Sequence, residues 1–525
     1  MTRTLPSPVA TGPDERFGPR LWGLLLVLAG NMLIDALEVS VAVVALPAIG
    51  TDLGQPPTVT QWAMTGFAAG FGGLLLFGAR VVTLLGRRRV YLAALLAFAA
   101  ASALSALAHD PWLLLATRLL KGFCAALTAP TGLAIITSTF PEGRPRSRAV
   151  SVYTLFGAGG FTAGLVLSGW LTETSWRWAF AFPAPVVLLL FALGLRLIPG
   201  EPPGTAKGTG PGVASAPKGR GAVSDMRLPP RGRDQPPRRR AWTTTARRYD
   251  IPGALTFLGA LLALVQGITQ LPAHGWSDPR AVGPLCTAAL FALAFWQIEH
   301  RSAHPLLAIG PSLRRNPALI RSAAGAACLN GSYLGLLFVL TYQTQTLAGW
   351  SPLRTALALL PAAAPPALTA PAAGRLVARF GAPPLIAAGA ACAFAGCLLQ
   401  LRPHAWPLDY PGRMLPTLLL IGAAFVLSFA ALNMQAMSRL APADRLTGSG
   451  LYQTAVQLAA LLAVALVAAL LAAHAPTPGA GPAAAAAACR PALTLVAALG
   501  FLGLLVGLTG LIRTPPPPSS LHHGE

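Results

Sequence analysis

The amino-acid sequence predicts an all-α fold, a polytopic bundle of transmembrane helices. The first observation is composition, since 54% of the 525 residues are hydrophobic, only 11% are charged and the mean hydropathy is +0.59. Soluble globular chains are about one quarter charged. The second is that apolar residues form continuous runs rather than alternating with polar ones, which excludes a transmembrane β-barrel. The third is run length, because crossing a hydrocarbon core about 30 Å thick takes about 20 apolar residues as helix.

Fourteen runs meet this criterion, and each predicts one membrane-spanning helix. In chain order they are Leu21–Ile49, Gln61–Leu85, Val90–Leu107, Trp112–Phe140, Val150–Leu171, Trp178–Ile198, Ile251–Leu271, Ala281–Ile298, Leu319–Thr341, Ala356–Gly374, Leu385–Leu401, Met414–Met437, Leu451–Ala473 and Leu493–Ile512. Proline and glycine inside these runs do not argue against helix, because both are more frequent in transmembrane helices than in soluble ones.

Lysine and arginine are distributed unevenly along the predicted topology. If the N-terminus is cytoplasmic and the runs alternate in direction, only 6 of the 39 Lys and Arg fall in external segments. Cytoplasmic loops of membrane proteins carry the excess of basic residues. The net charge of +22 is therefore interpreted as a signature of topology rather than of nucleic-acid binding, and both termini are predicted to be cytoplasmic.

Residues 200–250 separate the sixth run from the seventh and are rich in Pro, Gly and Arg. They contain 11 basic and 4 acidic residues with little apolar content, which predicts a disordered cytoplasmic linker. A solvated tether close to anionic lipid is favoured over a nucleic-acid-binding segment. The six cysteines contain no C-x-x-C pair, so neither a disulfide framework nor a metal site is indicated.

The ends of the second and tenth runs repeat one pattern. ARVVTLLGRRR, which begins at Ala79, matches GRLVARFGAPP, which begins at Gly374, so that Gly86 corresponds to Gly381, 295 residues later. Two related halves are typical of transporters whose substrate lies between the halves near the bilayer midplane. We therefore predict an N-terminal six-helix half at 1–199, the linker at 200–250, two accessory helices at 251–298 and a C-terminal six-helix half at 299–525.

Two carboxylates lie deep in the first apolar run. Of the 17 acidic residues only Asp35 and Glu38 fall deep within a run, and none of the eight histidines falls in one, so any proton relay must use carboxylates. Three residues at 100° each place the two acids about 60° apart on one helix face, and Asn31 extends this face by a turn. Arg118 and Lys121 lie on one face of the fourth run at a depth close to that of Glu38, which makes them the natural counter-charges.

Several stretches resemble, in chain order, motifs of the fourteen-span drug:proton antiporters of the major facilitator superfamily. LEVSVAVVALP, from Leu37, resembles the first-helix signature Leu-Asp-x-Thr-Ile-Val-Asn-Val-Ala-Leu-Pro, with Glu38 at the acidic position. ARVVTLLGRRR resembles the loop motif Gly-x-Leu-Ala-Asp-Arg-x-Gly-Arg-Arg. Gly86 and Arg87 stand where that motif has glycine and arginine, and Thr83 replaces its aspartate.

The fourth and fifth runs carry further resemblances. RLLKGFCAA, from Arg118, resembles the fourth-span motif Arg-x-x-x-Gly-x-x-x-Ala and places Gly122 at its glycine. GAGGFTAGLVLSG resembles the glycine-rich fifth-span motif of the antiporters. Small residues at such spacings let membrane helices approach closely. Residues predicted to act in gating or helix packing are Gly86, Arg87, Gly122, Gly157, Gly160, Gly164, Gly169 and Gly381.

Substrate contacts are predicted from polar and aromatic residues of the inner spans. The resemblance supports Gln345 most, because TYQTQTLAGWSPL is similar to the family's Tyr-x-Gln-x-x-x-Gly-x-x-Pro, with Gln343 at the tyrosine. The candidate substrate-binding residues are Asn31, Trp62, Lys121, Tyr333, Gln343 and Gln345. Hydrogen bonding between helices is the alternative role for most of them.

The resemblance implies a proton-coupled secondary active transporter that exports small amphiphilic drugs or antibiotics by alternating access. Protons would be the coupling ion, with no other cofactor. The expected partners are a small-molecule substrate and the lipid bilayer, without nucleic acid, and the protein is expected to be a monomer. The bias toward Ala, Gly, Pro and Arg is typical of a GC-rich bacterium, so multi-pass localisation in the bacterial cytoplasmic membrane is predicted. The alternatives are a proton-coupled uptake symporter and, from another class, a membrane enzyme or signalling scaffold.

The role of the two acids has two interpretations. An ionised carboxylate near the midplane costs about 2.5 to 3.5 kcal/mol on insertion scales, so both acids are expected to face a partner or a watery cavity. In the first interpretation, Glu38 or Asp35 takes up a proton facing outward and loses it facing inward, with Arg118 tuning the exchange. This predicts that Glu38→Gln abolishes proton-coupled export and leaves folding intact. In the second, the acids are permanently paired with Arg118 and Lys121 and only hold helices together.

Overall fold

The computed structural model describes most of the chain. The described residues are 17–200, 249–302, 305–306, 313, 315–402, 408–441, 444–475 and 481–512. Most of the linker predicted at 200–250, together with both chain termini, lies outside these ranges. Within them every regular element is a helix and no strand occurs.

Fourteen helices of the described chain are long and apolar enough to cross a membrane. They are α1 (Pro19–Leu53), α2 (Pro57–Leu85), α3 (Arg87–Ala106), α4 (Pro111–Thr139), α5 (Arg144–Thr174), α6 (Trp176–Leu197), α7 (Ile251–His274), α8 (Pro279–Arg301), α9 (Pro317–Leu347), α10 (Pro352–Phe380), α11 (Ala382–Leu401), α12 (Tyr410–Met437), α13 (Thr447–Ala473) and α14 (Ala483–Ile512). The predicted all-α fold with fourteen spans is confirmed.

Several helices extend beyond the predicted apolar runs. Helix α5 begins at Arg144 rather than Val150, and α14 begins at Ala483 rather than Leu493. Hydropathy marks only the part of a helix that fits the hydrocarbon core, whereas backbone hydrogen bonding continues into polar flanks until a cap ends it. At the start of α4, the carboxylate of Asp110 accepts hydrogen bonds from the backbone N–H groups of Trp112 and Leu113, at 2.8 and 3.0 Å.

The helices pack in two sets that meet mainly along three pairs. In the first set α1 packs against α5, and α4 packs against α2 and α3. In the second, α9 packs against α12, α13 and α14, and α11 against α12 and α14. Helices α5 and α10, α2 and α13, and α1 and α9 join the two sets. Helices α7 and α8 pack against each other, and α7 also contacts α2 and α13.

The internal sequence repeat corresponds to a repeated backbone geometry. Gly86 ends α2 with φ 90° and Gly381 ends the matching segment of α10 with φ 78°. The N–H of each glycine donates to the carbonyl four residues earlier, that of Val82 at 3.0 Å and that of Val377 at 2.8 Å. Positive φ is accessible to glycine at little cost and strains most other residues. The glycine at this position therefore permits the turn in both copies.

Glycines of α5 bring this helix against the backbone of α1. A methyl group added at Gly160 would collide with the carbonyl of Leu33, and one added at Gly157 would lie 3.0 Å from the Met32 side chain. Gly164 faces Leu37 in the same way. The close approach of α1 and α5 positions the face of α1 that carries the acids toward the other helices of the first set.

Candidate functional site

Glu38 is fully buried and lies between two cations. One carboxylate oxygen forms an ion pair and a hydrogen bond with Nη1 of Arg118, and the other lies 2.5 Å from Nζ of Lys121. All three side chains are 0% exposed. The ion pairs join α1 to α4 in the middle of the first set of helices.

Arg118 also holds the backbone of two other helices. Its Nη2 donates to the backbone carbonyl of Glu38 at 2.9 Å, and its Nε donates to the carbonyl of Ala63 in α2 at 2.5 Å. Its guanidinium lies over the rings of Phe67 and Phe180, 5.0 and 5.4 Å from their centroids. Aromatic faces attract cations. Arg118 thus connects α1, α2, α4 and α6.

Lys121 also lies close to aromatic rings. Its Nζ lies 5.1 Å from the ring centroid of Phe98 and 5.7 Å from that of Phe180. Glu38 is its charged partner at 2.5 Å. The positions of both cations therefore depend on one carboxylate and on surrounding aromatic rings.

Asp35 lies one turn before Glu38 and has different partners. Its Oδ2 accepts hydrogen bonds from Nδ2 of Asn31 and from Oγ1 of Thr128, each at 3.0 Å. Its Oδ1 is buried without a hydrogen-bond partner among the described residues. No Lys or Arg of the described chain forms an ion pair with it. Asp35 is only 5% exposed, and the side chains that donate hydrogen bonds to it are neutral.

In this structure Glu38 has the ion pairs that the second interpretation describes, and Asp35 has none among the described residues. Together Glu38, Arg118 and Lys121 carry one net positive charge, and an ionised Asp35 would make the four groups neutral. The partners in the hydrogen bonds, ion pairs and ring contacts described above all come from α1, α2, α3, α4 and α6. The charge cluster therefore lies inside the first six helices and not between the two sets, where the sequence suggested that substrate would bind.

The remaining candidate substrate residues lie in separate places. Trp62 is buried in an apolar cluster with residues of α7 and α13, including Val265 and Leu461. Gln345, the candidate that the resemblance supports most, donates from α9 to the backbone carbonyl of Val44 in α1 at 3.0 Å and so bonds helix to helix in this structure. Gln343 is also buried. Only Asn31 and Lys121 join the acids.

Tyr333 belongs to a series of aromatic rings instead. Its ring centroid lies 5.7 Å from that of Phe161 in α5 and 4.5 Å from that of Phe425 in α12. Phe425 in turn stacks on Phe429 at 5.5 Å. We call these four residues the ring series.

The packing glycines of the other helices have mixed partners. Gly122 of α4 faces backbone atoms of Phe67 and Gly70 in α2. Gly169 of α5 faces Leu353 of α10, with 3.0 Å between the added methyl and its Cα, so this glycine serves contact between the two sets. Arg87 is the first residue of α3 and is exposed.

The loop motif at the end of α2 makes its long-range contacts through arginine. Thr83, which replaces the motif's aspartate, donates to the carbonyl of Arg80 in its own helix at 2.7 Å. Arg80 donates to the carbonyl of Pro305 at 2.8 Å and lies 3.9 Å from the carboxylate of Asp250, which precedes α7. The start of the accessory pair is thereby connected to α2.

Sequence reasoning missed Thr128, Phe180 and three members of the ring series. Thr128 could have been found, because it lies two turns beyond Lys121 on the same face of α4 and at the depth of Asp35. The aromatic residues carried no signal of this kind, since phenylalanine is common throughout membrane helices.

Fourteen spans, two sets of helices with a matching repeat and ionisable groups buried at mid-depth define a multi-pass membrane transporter. The family model described as Major Facilitator Superfamily matches residues 28–464. The chain belongs to the major facilitator superfamily, and the resemblance seen in its motifs is confirmed.

Two relatives named for antibiotic resistance or export are similar to this chain over most of their length. A puromycin resistance protein of Streptomyces alboniger is 33% identical over 86% of this chain and 81% of its own. A cephamycin export protein of Amycolatopsis lactamdurans is 30% identical over 85% of this chain and 84% of its own. A crystal structure of a peptide transporter in complex with sulfate aligns with a TM-score of 0.63 at 14% identity, covering 93% of this chain and 94% of that one. This last likeness concerns the fold.

Proposed function

We propose that the protein exports small amphiphilic drugs or antibiotics across the bacterial cytoplasmic membrane in exchange for protons, by alternating access of the halves 1–199 and 299–525. Export is supported by relatives named for puromycin resistance and cephamycin export. The observation that carries proton exchange is the buried carboxylate of Asp35, which has neutral partners and one unpartnered oxygen.

Asp35 is the group we assign to proton exchange, and Glu38 the group that positions the cluster. Protonating Glu38 would leave Arg118 and Lys121 buried without a counter-charge, and breaking a buried ion pair in this way is strongly unfavourable. Protonating Asp35 breaks no ion pair. Its Oδ1 is also open to receive a proton, since no donor of the described chain occupies it.

Proton exchange at Asp35 alternates between the outward-facing and the inward-facing state. Facing outward, Asp35 takes up a proton, which adds one positive charge to the cluster and favours release of substrate. Facing inward, Asp35 loses the proton, which restores neutrality and permits capture of the next substrate. Arg118 connects this change to α2 and α6 through its backbone and ring contacts, so the charge state of α1 reaches neighbouring helices.

The driving force is adequate for accumulation. One charge crossing 100 mV carries about 2.3 kcal/mol, and each decade of concentration gradient costs about 1.36 kcal/mol. One proton per cycle can therefore sustain an approximately 50-fold substrate gradient, by combining these two figures.

The proposed setting follows the sequence expectations. The protein acts as a monomer with both termini in the cytoplasm, uses protons and no other cofactor, and has the small-molecule substrate and the lipid bilayer as partners without nucleic acid. It acts as a transporter and not as an enzyme.

Transport of radiolabelled puromycin into inside-out membrane vesicles tests the proposal. With an acid interior imposed by a pH jump, vesicles containing the protein should accumulate puromycin, and nigericin, which dissipates the pH difference, should stop it. Accumulation only in right-side-out vesicles would replace export by the proton-coupled uptake symporter. If no amphiphile from a panel of cationic, neutral and anionic compounds moved in either orientation, a scaffold role would replace transport.

A further inference from the structure

The ring series spans the boundary between the two sets of helices. Phe161 belongs to α5 of the first set, whereas Tyr333, Phe425 and Phe429 belong to α9 and α12 of the second. Phe161, Tyr333 and Phe425 each lie close to the middle of their span. Beside Phe161, Thr162 donates to the carbonyl of Ala363 in α10 at 2.8 Å, which confirms that this part of α5 faces the second set.

The series is partly open. Phe425 is half-buried and Phe429 is 41% exposed. Residues four apart lie on the same helix face. Phe429 therefore continues the face of Phe425 that meets Tyr333, one turn nearer the C-terminal end of α12. The series therefore runs from the contact between Phe161 and Tyr333, which crosses the boundary, to an exposed ring on α12.

The ring series has one polar group and no charged group. Tyr333 is 5% exposed and supplies the one hydroxyl group of the four rings. The charges of Glu38, Arg118 and Lys121 are enclosed within the first set and make no contact with these rings. A ligand here would meet aromatic faces and one phenolic hydroxyl, and no ionic partner.

We propose that Phe161, Tyr333, Phe425 and Phe429 form a substrate-binding surface that takes a planar, uncharged aromatic group by ring stacking. The inference rests on the export function proposed above and names its substrate class. Aromatic pairs prefer offset or edge-to-face arrangements with centroids 4.5–7 Å apart and contribute beyond their buried area. A flat ligand ring that binds beside Phe429 would stack on the exposed end of the four rings.

Binding without any gradient tests the surface separately from proton coupling. The probe is N-phenyl-1-naphthylamine, a neutral planar fluorophore, added to purified protein in lipid nanodiscs, with empty nanodiscs subtracted. The competitors are 2-methoxynaphthalene and its saturated counterpart 2-methoxydecalin. With the parent protein the aromatic competitor should displace the probe at a concentration about three- to tenfold lower, as one or two ring contacts imply.

Phe425→Leu should weaken probe binding by about three- to tenfold and make the two competitors equivalent, whereas Phe425→Tyr should keep the parent behaviour. Phe161→Leu, in the opposite set, should act like Phe425→Leu and serves if the latter does not fold. The matched control is Phe394→Leu, which removes a ring pair with Phe501 at 5.3 Å between α11 and α14 and should change nothing.

Three results would overturn the assignment. The first is parent affinity in both Phe425→Leu and Phe161→Leu, and the second is an equal loss of affinity in Phe394→Leu. The third is a parent protein that binds the two competitors equally well. If vesicle transport does not depend on the pH difference but the binding results are as expected, proton coupling is rejected and the ring surface is kept. The converse pattern would reject the surface alone.

Discussion

Asp35 and Glu38 lie one helical turn apart on α1, yet Glu38 is held by two cations and Asp35 by two neutral side chains. Nζ of Lys121 is 2.5 Å from Glu38 and Arg118 pairs with its other oxygen, whereas Asp35 accepts hydrogen bonds from Asn31 and Thr128. Two acids of the same buried helix face thus have different electrostatic surroundings, and this difference is the basis of the positioning role proposed for Glu38 and the exchanging role proposed for Asp35.

Asp35→Asn should uncouple transport from the pH difference. The amide keeps the size of the carboxylate and an oxygen that can accept from Thr128, but it cannot exchange a proton. In inside-out vesicles, accumulation of puromycin driven by a pH jump should fall to the level seen with nigericin, while exchange of labelled for unlabelled puromycin persists. Asp52→Asn is the matched control, because Asp52 lies at the far end of α1, where it pairs with Arg177 at 2.7 Å. Parent-like accumulation in Asp35→Asn would exclude the role of Asp35.

Glu38→Gln should lower stability, which revises the sequence-based expectation that folding stays intact. The substitution leaves Arg118 and Lys121 buried without a counter-charge, and breaking a buried pair costs about 3 to 5 kcal/mol. Lys121→Met should cost much less, because Glu38 keeps Arg118. Thermal unfolding midpoints in detergent compare the two. Equal midpoints for Glu38→Gln and the parent would mean that the cluster does not hold these helices together.

Gly160→Ala should destabilise the contact between α1 and α5. The added methyl collides with the backbone carbonyl of Leu33, and overpacking costs about 1 to 3 kcal/mol in free energy of unfolding. Gly159→Ala is the control on the same helix, since nothing lies within 4 Å of its added methyl. Unfolding midpoints should fall for the first variant and stay level or rise for the second. The packing would be looser than described if both behaved alike.

Gly86→Ala and Gly381→Ala should each reduce stability, because alanine is strained at φ 90° and φ 78°. Backbone strain of this kind costs about 1 to 3 kcal/mol. Gly374→Ala supplies the comparison, as Gly374 is helical with open space around it, and alanine is favoured over glycine inside a helix. Thermal unfolding midpoints should be lower for Gly86→Ala and Gly381→Ala than for the parent, and should not be lower for Gly374→Ala. A harmless Gly86→Ala would show that the turn can adopt another conformation.

The spans and their repeat could be predicted from sequence because both depend on local pattern. Hydrocarbon thickness fixes the length of an apolar run, and glycine with positive φ marks the same turn at Gly86 and Gly381. Depth along a helix also follows from counting residues, which placed Arg118 and Lys121 at the level of Glu38.

The division between the two acids could not be predicted, because it depends on the rotation of α1 against its neighbours. An angle of about 60° between positions three residues apart puts both acids on one face, and only packing decides that Glu38 meets α4 at Lys121 while Asp35 meets it at Thr128. The ring series likewise joins residues of three helices that are remote in the chain, which no local pattern records.

The enclosure of the carboxylates within the first six helices has a consequence for the energy source of each cycle. If cargo binds between the two sets, as proposed, it is coupled to the proton through the helices that Arg118 connects rather than by direct charge repulsion, and the charges of cargo and proton then add independently. With one proton entering, a neutral cargo would make the cycle electrogenic and responsive to membrane voltage, at about 2.3 kcal/mol per 100 mV. A monovalent cationic cargo would make it electroneutral, and only the difference in acidity across the membrane would then drive it.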